Sequence, residues 1–200
     1  MACICPLILV GIIYGQDDHY FINDLEIEGN ESISKNEILF IVRQRPPNFF
    51  FRSPKFDPRL LRLDALTLKN YYYSKGFLDV VINESYHVKD NSNKYKFVDI
   101  LYKVIEGKQY HLSKVHIIGN NLISKKKITK ILGLKIDSPY NPVGLNDNLY
   151  LLENEYQNLG KLFAKITVKD EIKDSVEIKI DIDEGKYIYI NNTRIEKKGN

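Results

Sequence analysis

An α+β fold made of tandem copies of one small module is predicted by two features of this 200-residue sequence. The chain aligns with itself in order over most of its length, so one structural unit is repeated. Within each copy, apolar residues alternate in strand-like segments and recur at helical spacing in others, which indicates the order β-α-α-β-β. We expect each module to form a three-stranded mixed sheet with two helices packed on one face.

Three motifs occur twice in the same order and define the repeat. The matched segments are Gly29-Asn30 with Gly119-Asn120 at an offset of 90 residues, Phe56-Asp57-Pro58 with Tyr140-Asn141-Pro142 at 84, and Glu106-Gly107-Lys108 with Glu184-Gly185-Lys186 at 78. The falling offset places longer loops in the first copy. We therefore expect a first module at residues 20–108 and a second at 109–186. The pair Gly199-Asn200 predicts that residues 187–200 open a third copy.

The opening strand and the first helix of each copy have recognisable boundaries. Leu25 and Ile27 lie two residues apart and share one face of the strand. The Gly-Asn pair that follows tolerates the left-handed conformation that a turn requires. Ser34 and Glu37 form a capping-box pattern, which opens a short helix. The second copy keeps the serine, as Ser124, without the glutamate.

The second helix of each copy is the best-defined element. Asp57 and Asn141 stand at N-cap positions, and a proline occupies the first helical position behind each of them. Steps of four, three and four residues form one apolar stripe, which comprises Leu61, Ala65, Leu68 and Tyr72 in the first copy and Leu145, Leu149, Leu152 and Tyr156 in the second. Gly76 and Gly160 end the helices.

Two further strands close each copy as an antiparallel hairpin. Val176, Ile178 and Ile180 alternate with charged residues, so one face of the sheet is buried and the other is exposed to solvent. A three-stranded sheet leaves two edges, whose backbone groups can pair with another extended chain. Each such hydrogen bond contributes about 0.5–1.5 kcal/mol net, which suits weak binding that is insensitive to the sequence of the client.

Residues 1–15 differ from the rest because they carry no charge and contain a short apolar run. The run is too short to span a bilayer as a helix and fits the centre of a secretory signal peptide, cleaved after Gly15. The usual basic leader is missing, so the start is expected to be truncated. The alternative is a buried strand of a cytosolic protein. Cys3 and Cys5 both lie in this segment, so the mature chain would contain no thiol.

Charge and motifs argue against an enzyme or a nucleic-acid binder. The net charge is +3, and basic and acidic residues alternate instead of forming a basic stripe. The sequence contains no phosphate loop, no Gly-x-Ser-x-Gly, no Cys-x-x-Cys and no His-x-x-x-His. We expect no catalytic residue, no bound metal and no cofactor.

Taken together, the motifs resemble the POTRA (polypeptide-transport-associated) repeat over about residues 20–200. The set comprises the β-α-α-β-β order, the Ile-x-Gly-Asn opening, Tyr-x-x-x-Gly after the second helix and Glu-Gly-Lys closing the last strand. Arrays of such repeats precede the membrane barrel of BamA-like outer membrane assembly factors. The resemblance implies a periplasmic scaffold for unfolded outer-membrane β-barrel polypeptides, a C-terminal barrel in the full-length protein, and partner lipoproteins.

The resemblance also implies that clients bind by adding a strand to the second strand of a repeat. By position, these strands are residues 78–88 and 163–170. The contact residues expected there are Leu78, Val80, Ile82, Glu84, Tyr86, Val88, Phe163, Lys165, Thr167 and Lys169. An insertion in the first copy adds Phe49, Phe50 and Phe51, which form either an exposed contact loop or a loop tucked over the core.

Other functions of the same repeat stay open at this point. A two-partner secretion transporter or a TamA-like protein would use it for different clients. A cell-division anchor would carry it behind a retained transmembrane helix, and the short, uncharged leader argues against that. The sequence does not indicate which sheet edge binds.

Overall fold

The computed structural model describes residues 19–48, 54–89 and 95–189. The predicted signal peptide at residues 1–15 and the predicted contact residues Phe49, Phe50 and Phe51 lie outside these ranges. Of the predicted third-module segment, only residues 187–189 are described, and they form neither helix nor strand. No helix within the described ranges is long and apolar enough to cross a membrane.

Two modules with the same order of elements make up the described chain. The first contains β1 (His19–Glu28), α1 (Lys35–Ile41), α2 (Pro58–Ser74), β2 (Val81–Lys89) and β3 (Tyr95–Ile105). The second contains β4 (Leu112–Ile118), α3 (Lys125–Ile131), α4 (Pro142–Asn158), β5 (Lys165–Ile172) and β6 (Val176–Asp183). The predicted α+β fold of tandem β-α-α-β-β modules is confirmed.

The last strand of each module lies at the centre of its sheet. The strand order is β1-β3-β2 in the first module and β4-β6-β5 in the second. Each central strand runs parallel to the opening strand and antiparallel to the second strand, so both sheets are mixed. Burial alternates along β3 and β6 because the helices cover only one face of each sheet.

Side chains at the predicted N-caps start all four helices. The hydroxyls of Ser34 and Ser124 accept hydrogen bonds from backbone amides three residues later. Asp57 accepts from the amide of Arg59 at 2.9 Å, and Asn141 accepts from the amide of Gly144 at 2.7 Å. These bonds satisfy amides that have no partner within the helix. Only half of the predicted capping box forms, because the carboxylate of Glu37 binds Tyr71 and Lys75 instead.

Each module encloses its own hydrophobic core. In the first, Leu68 and Tyr72 of α2 belong to one buried cluster with Ile100 of β3. In the second, Leu152 and Tyr156 of α4 take the same places. Burial of each such side chain contributes about 1.5–3 kcal/mol. The helical stripes predicted from spacing are therefore the faces that hold the helices on the sheets.

Both second strands begin later than the sequence predicted. β2 starts at Val81 instead of residue 78, and β5 runs from Lys165 to Ile172 instead of residues 163–170. After α2 the chain first turns at Gly76, whose φ is +88°, and Phe77 then bridges to Gln109. The residues up to Val80 are thus used in the turn and in packing before the strand can begin.

Candidate functional site

The two edges of each sheet are not equivalent, because a loop covers one of them. Along β1, the amide of Ile22 donates to the Pro54 carbonyl at 2.7 Å, and the amide of Phe56 donates to the Tyr20 carbonyl at 3.0 Å. The segment that precedes α2 therefore pairs with the outer side of β1. An edge already satisfied in this way is poorly suited to receive another chain over that stretch.

The second module repeats this cover at the start of β4. The amide of Leu112 donates to the Ser138 carbonyl at 3.0 Å, and the amide of Asp137 donates to the Leu112 carbonyl at 2.8 Å. An isolated bridge also joins His111 to Pro139. In both modules, the chain leading into the second helix thus protects the beginning of the opening strand.

The opposite edges, β2 and β5, are open over the described residues. There β2 pairs only with β3, and β5 pairs only with β6. β2 has 9 residues and β5 has 8, which is long enough for an added strand to form several hydrogen bonds. Alternate residues of an antiparallel edge direct their amide and carbonyl groups away from the partner strand. These two edges are the candidate binding site.

The predicted contact residues of β2 lie on the helix-covered face of the sheet. Ile82, Glu84 and Val88 stand opposite the buried residues of β3 and are half-buried. Tyr86 is more exposed, and its ring lies 4.8 Å from that of Phe56, centroid to centroid. This face borders the helices, so side chains of a strand added to β2 would enter the space beside α2.

The predicted contact residues of β5 lie on the other face. Lys165, Thr167 and Lys169 are exposed and stand opposite the residues of β6 that alternate with its buried ones, on the face without helices. The two predicted sets therefore lie on opposite faces of their sheets and do not occupy equivalent positions of the repeat. The offset of 84 residues pairs Ile82 with Ile166, and Ile166 faces the helices like its counterpart.

Three predicted contact residues lie before the strands. Val80 is 2% exposed and belongs to the first core, so its side chain cannot reach a client. Leu78 packs against the core of the second module. Phe163 precedes β5 and is 71% exposed. The three residues, which the sequence pattern had grouped together, thus have different environments. Val80 is a core residue, Leu78 lies between the modules, and the side chain of Phe163 is exposed to solvent.

Charges of both signs lie on or beside the two edge strands. At β2, Lys89 forms an ion pair with Asp99, and the Asn23 amide donates to the same carboxyl at 2.6 Å. Partial burial raises the pKa of Asp99, but the hydrogen bonds from Lys89 and Asn23 outweigh it, so the pKa lies below its usual range. At β5, the Lys173 ammonium lowers the pKa of Glu171. Because charges of both signs are present, the edges have little electrostatic preference for one client sequence over another.

Comparison with known proteins identifies the architecture. A POTRA family model, described as a surface antigen variable number repeat, matches residues 20–107 and 110–185. The chain belongs to the POTRA family. Its two POTRA modules are those built on the sheets described above.

Two curated relatives carry names related to outer membrane assembly. The outer membrane protein assembly factor BamA of Buchnera aphidicola subsp. Acyrthosiphon pisum (strain APS) is 24% identical over 193 residues, which cover 90% of this chain and 30% of the relative. A putative outer membrane protein assembly factor of Treponema pallidum (strain Nichols) is 22% identical over 159 residues, covering 78% of this chain and 19% of the relative. This chain thus spans less than a third of either relative.

A solved structure shows the same fold. The crystal structure of Haemophilus influenzae BamA POTRA3-5 superposes with a TM-score of 0.60 at 20% sequence identity. The match covers 88% of this chain and 71% of that chain.

Within the POTRA modules, a glutamate at the end of the last strand binds groups in the turn after the opening strand and, in the first module, in the second helix. The Glu106 carboxylate accepts hydrogen bonds from the Ser32 amide and the Tyr72 hydroxyl, each at 3.0 Å. In the second module, Glu184 accepts from the Leu122 amide at 2.8 Å. In the sequence, Glu-Gly-Lys was recognised only as the motif that closes the last strand, because these contacts join residues far apart in the chain.

A buried aspartate was also missed. Asp64 is 1% exposed and accepts hydrogen bonds from the amides of Arg43 and Gln44, both at 2.9 Å. It thereby fixes the chain after α1 to the side of α2. Asp64 stands directly before Ala65 of the apolar stripe, and this position was the signal in the sequence that the aspartate could be buried. Within the described ranges, no group of three or more His, Cys, Asp or Glu side chains is arranged to hold a metal ion.

Proposed function

We propose that this chain is a polypeptide-binding part of a BamA-like outer membrane assembly factor, on the periplasmic side of the outer membrane. The full-length protein would continue into a membrane barrel, and unfolded β-barrel polypeptides would be its clients. The family and the names of the two relatives support this assignment. Export by a signal peptide at residues 1–15 and binding of partner lipoproteins belong to the same proposal.

The single observation that carries the binding mechanism is the asymmetry of the sheet edges. In both modules, a loop pairs with the opening strand, while the second strand stays open over the described residues. The second strand is therefore the place where an extended client segment can join the sheet. Clients that are themselves destined for β-barrels supply such segments.

The expected affinity is low, and this fits a transient role. An added strand along β5 would make about eight backbone hydrogen bonds, because each of about four outward-facing residues offers one amide and one carbonyl. Each bond contributes about 0.5–1.5 kcal/mol net, and the cost of ordering the client, about 1–2 kcal/mol for each residue that it fixes, offsets most of this gain. Side chains of mixed charge add little preference. A scaffold of this kind would hold a client briefly and release it to the barrel.

Amide hydrogen exchange with an unfolded barrel-strand peptide tests the mechanism. Protection should appear at alternate residues of β2 or β5, where outward amides gain a partner. The beginnings of β1 and β4 serve as internal controls, since their outer sides are already paired. Peptide binding that leaves β2 and β5 unprotected would rule out strand addition there.

Proline scanning gives a matched pair of variants in β5. Of Thr167→Pro and Val168→Pro, one removes an amide directed toward β6 and the other removes an amide directed outward. The outward variant should keep the fold and lose peptide binding. Equal peptide affinity in a folded outward variant would contradict the proposal.

A further inference from the structure

The solvent-facing side of α2 is both basic and apolar. Leu63 and Leu66 are 48% and 55% exposed there. Helical spacing places Arg62 and Lys69 on the same side as Leu66, whereas the single carboxylate of α2, that of Asp64, is buried. A shallow groove of about 450 Å³ lies along this side, and its walls include Arg62, Leu63 and Leu66. An exposed apolar strip between cations is typical of a contact surface.

The equivalent side of α4 is acidic. Tyr150 corresponds to Leu66 at the offset of 84 residues and is 65% exposed. Glu153 corresponds to Lys69, and Asp147 is exposed one turn before Tyr150. The helix α4 contains neither lysine nor arginine. The repeat thus presents two equivalent helix faces that have opposite charge around an apolar centre.

The charges on these faces are not neutralised within the chain. Arg62, Asp147 and Glu153 form no ion pair and no side-chain hydrogen bond with any residue of the described ranges. The remaining carboxylate of α4, that of Glu155, lies on the flank toward α3 and is paired with the Lys127 ammonium at 2.5 Å. The outer faces therefore keep their charge available for a partner.

We propose that the outer face of α2 in one chain docks on the outer face of α4 in a second copy of the chain, with the two helices antiparallel. Tyr150 of one copy packs against Leu63 and Leu66 of the other. At 1.5 Å of rise per residue, this register brings Glu153 level with Arg62 to within about 1 Å along the helix axis. Antiparallel packing places both residues on the same flank of the contact and aligns the helix dipoles favourably.

Lys69 and Asp147 form the other end of this contact. In the same register they are level to within about 3 Å along the helix axis. The Lys69 ammonium lies 5.5 Å from the centroid of the Tyr73 ring, which keeps it at the surface of α2. Both ends of the contact therefore join opposite charges.

Charge favours a second copy over a lipid surface as the occupant. The helices α2 and α4 contact each other within the chain, so a partner that reaches one face lies near the other. A surface of acidic lipid would attract α2 but repel α4, whereas a second copy supplies the complement of both faces. This inference does not depend on the proposed function or on how clients bind.

Sedimentation analysis of the 200-residue chain tests for the association. The chain is kept reduced so that Cys3 and Cys5 cannot cross-link it. Its weight-average mass should rise between about 10 µM and about 1 mM, because a surface of this size associates weakly. Raising the salt concentration from about 0.05 M to about 0.5 M should weaken the association several-fold. A mass that stays monomeric throughout, or an association that salt does not weaken, overturns the proposal.

Charge reversal tests the pairing of Arg62 with Glu153. Arg62→Glu and Glu153→Arg each place like charges opposite one another, and each should weaken self-association at least about tenfold. An equimolar mixture of the two variants should recover the parent affinity to within about threefold, because each variant supplies the charge that the other needs. Recovery on mixing cannot come from repaired folding, since each chain keeps its own substitution. A mixture that remains dissociated contradicts the pairing.

Two controls separate this pairing from a general effect of charge. Lys126→Glu makes the same change in net charge as Arg62→Glu at an exposed position of α3, and it should leave self-association unchanged. A mixture of Arg62→Glu with Asp147→Arg should recover little, because Glu153 then faces a like charge in the antiparallel register. Equal recovery in the two mixtures would overturn that register.

Vesicles of phosphatidylglycerol test the other occupant. If the chain stays monomeric and binds these vesicles, and Leu66→Asp abolishes that binding, the face of α2 receives a lipid surface and the proposal is wrong. Self-association that is lost in Leu66→Asp, while any vesicle binding is unchanged, supports the second copy as the partner.

Discussion

The Tyr72 hydroxyl donates a 3.0 Å hydrogen bond to the carboxylate of Glu106, at the end of the first sheet. The same carboxylate accepts from the Ser32 amide, in the turn after β1. Tyr72 is fully buried, so its hydroxyl depends on this acceptor. The turn after β1, the helix α2 and the end of β3, which are far apart in the chain, thus meet at one charged group.

Replacing this group should destabilise the first module. Glu106→Ala leaves the Tyr72 hydroxyl and the Ser32 amide without their acceptor, and we expect a loss of about 1–3 kcal/mol in unfolding free energy. Urea denaturation followed by circular dichroism measures it. Glu31→Ala, at an exposed glutamate in the adjoining turn, should stay within about 0.5 kcal/mol of the parent. An equal effect of both substitutions would contradict the assigned role.

The glycine of each Gly-Asn turn is required for two physical reasons. Gly119 has a φ of +80°, and a Cβ there would overlap the Ile182 carbonyl of the neighbouring strand. Gly133 has a similar φ of +67°, but a Cβ there would meet only the Asn148 side chain at 3.4 Å. Left-handed strain alone costs roughly 1–2 kcal/mol for a residue with a Cβ.

The two glycines therefore form a matched pair. Gly133→Ala should lose about 1–2 kcal/mol from strain, whereas Gly119→Ala should lose clearly more because backbone atoms must also move. Thermal unfolding of both variants provides the comparison. Comparable losses of unfolding free energy in the two variants would show that the backbone removes the overlap with Ile182 at no energetic cost.

Local patterns in the sequence predicted the elements that depend on near neighbours. The N-caps at Asp57 and Asn141 and the apolar stripes behind them need only residues within one helix, and they were located correctly. The alternation of Val176, Ile178 and Ile180 with charged residues likewise identified β6. The repeat then fixed the order of elements, because each motif was seen twice.

Relationships between distant residues could not be read from the sequence. The cover of β1 by Pro54 and Phe56 decides which edge is open, but no local spacing links those segments. Leu78 was placed in the strand by its position in the repeat, although it packs against the core of the second module. The assignment of binding residues at the edges stays a prediction.

Alkaline pH should weaken the second module through Tyr156. Burial, and then the negative charge of Glu184, raises the pKa of Tyr156 to about 12, whereas an unfolded tyrosine has a pKa near 10. The stability from keeping this phenol neutral is complete below about pH 10 and is lost as the pH rises toward about 12. Unfolding free energy measured from pH 8 to 12 should fall along this course.

Substitution of this tyrosine isolates its share of the pH dependence. Tyr156→Phe should make the unfolding free energy decline less steeply above about pH 10, because one fewer proton is released on unfolding. Tyr150→Phe, on the exposed face of the same helix, is the control and should follow the parent curve. A Tyr156→Phe curve with the parent's slope would mean that other groups cause the alkaline loss.

The angle between the two modules should depend on Asp79 more than on the ion pair nearby. The Asp79 carboxylate accepts from the Tyr110 hydroxyl, which raises the pKa of Tyr110, and so ties the end of the first module to the linker. Lys108 and Asp174 also face each other across the joint at 3.5 Å, but the Asp174 side chain is fully exposed. Exposed ion pairs contribute little because water and salt screen them.

Residual dipolar couplings of the two modules distinguish these contacts. Asp79→Ala should broaden the range of inter-module angles and speed exchange of the Tyr110 amide several-fold, while each module keeps its own couplings. Tyr110→Phe, which removes the same hydrogen bond from the other side, should have the same effect, and the double variant should add nothing. Asp174→Ala should leave the angle unchanged. If Asp174→Ala loosens the joint and Asp79→Ala does not, charge attraction holds the modules instead of the hydrogen bond.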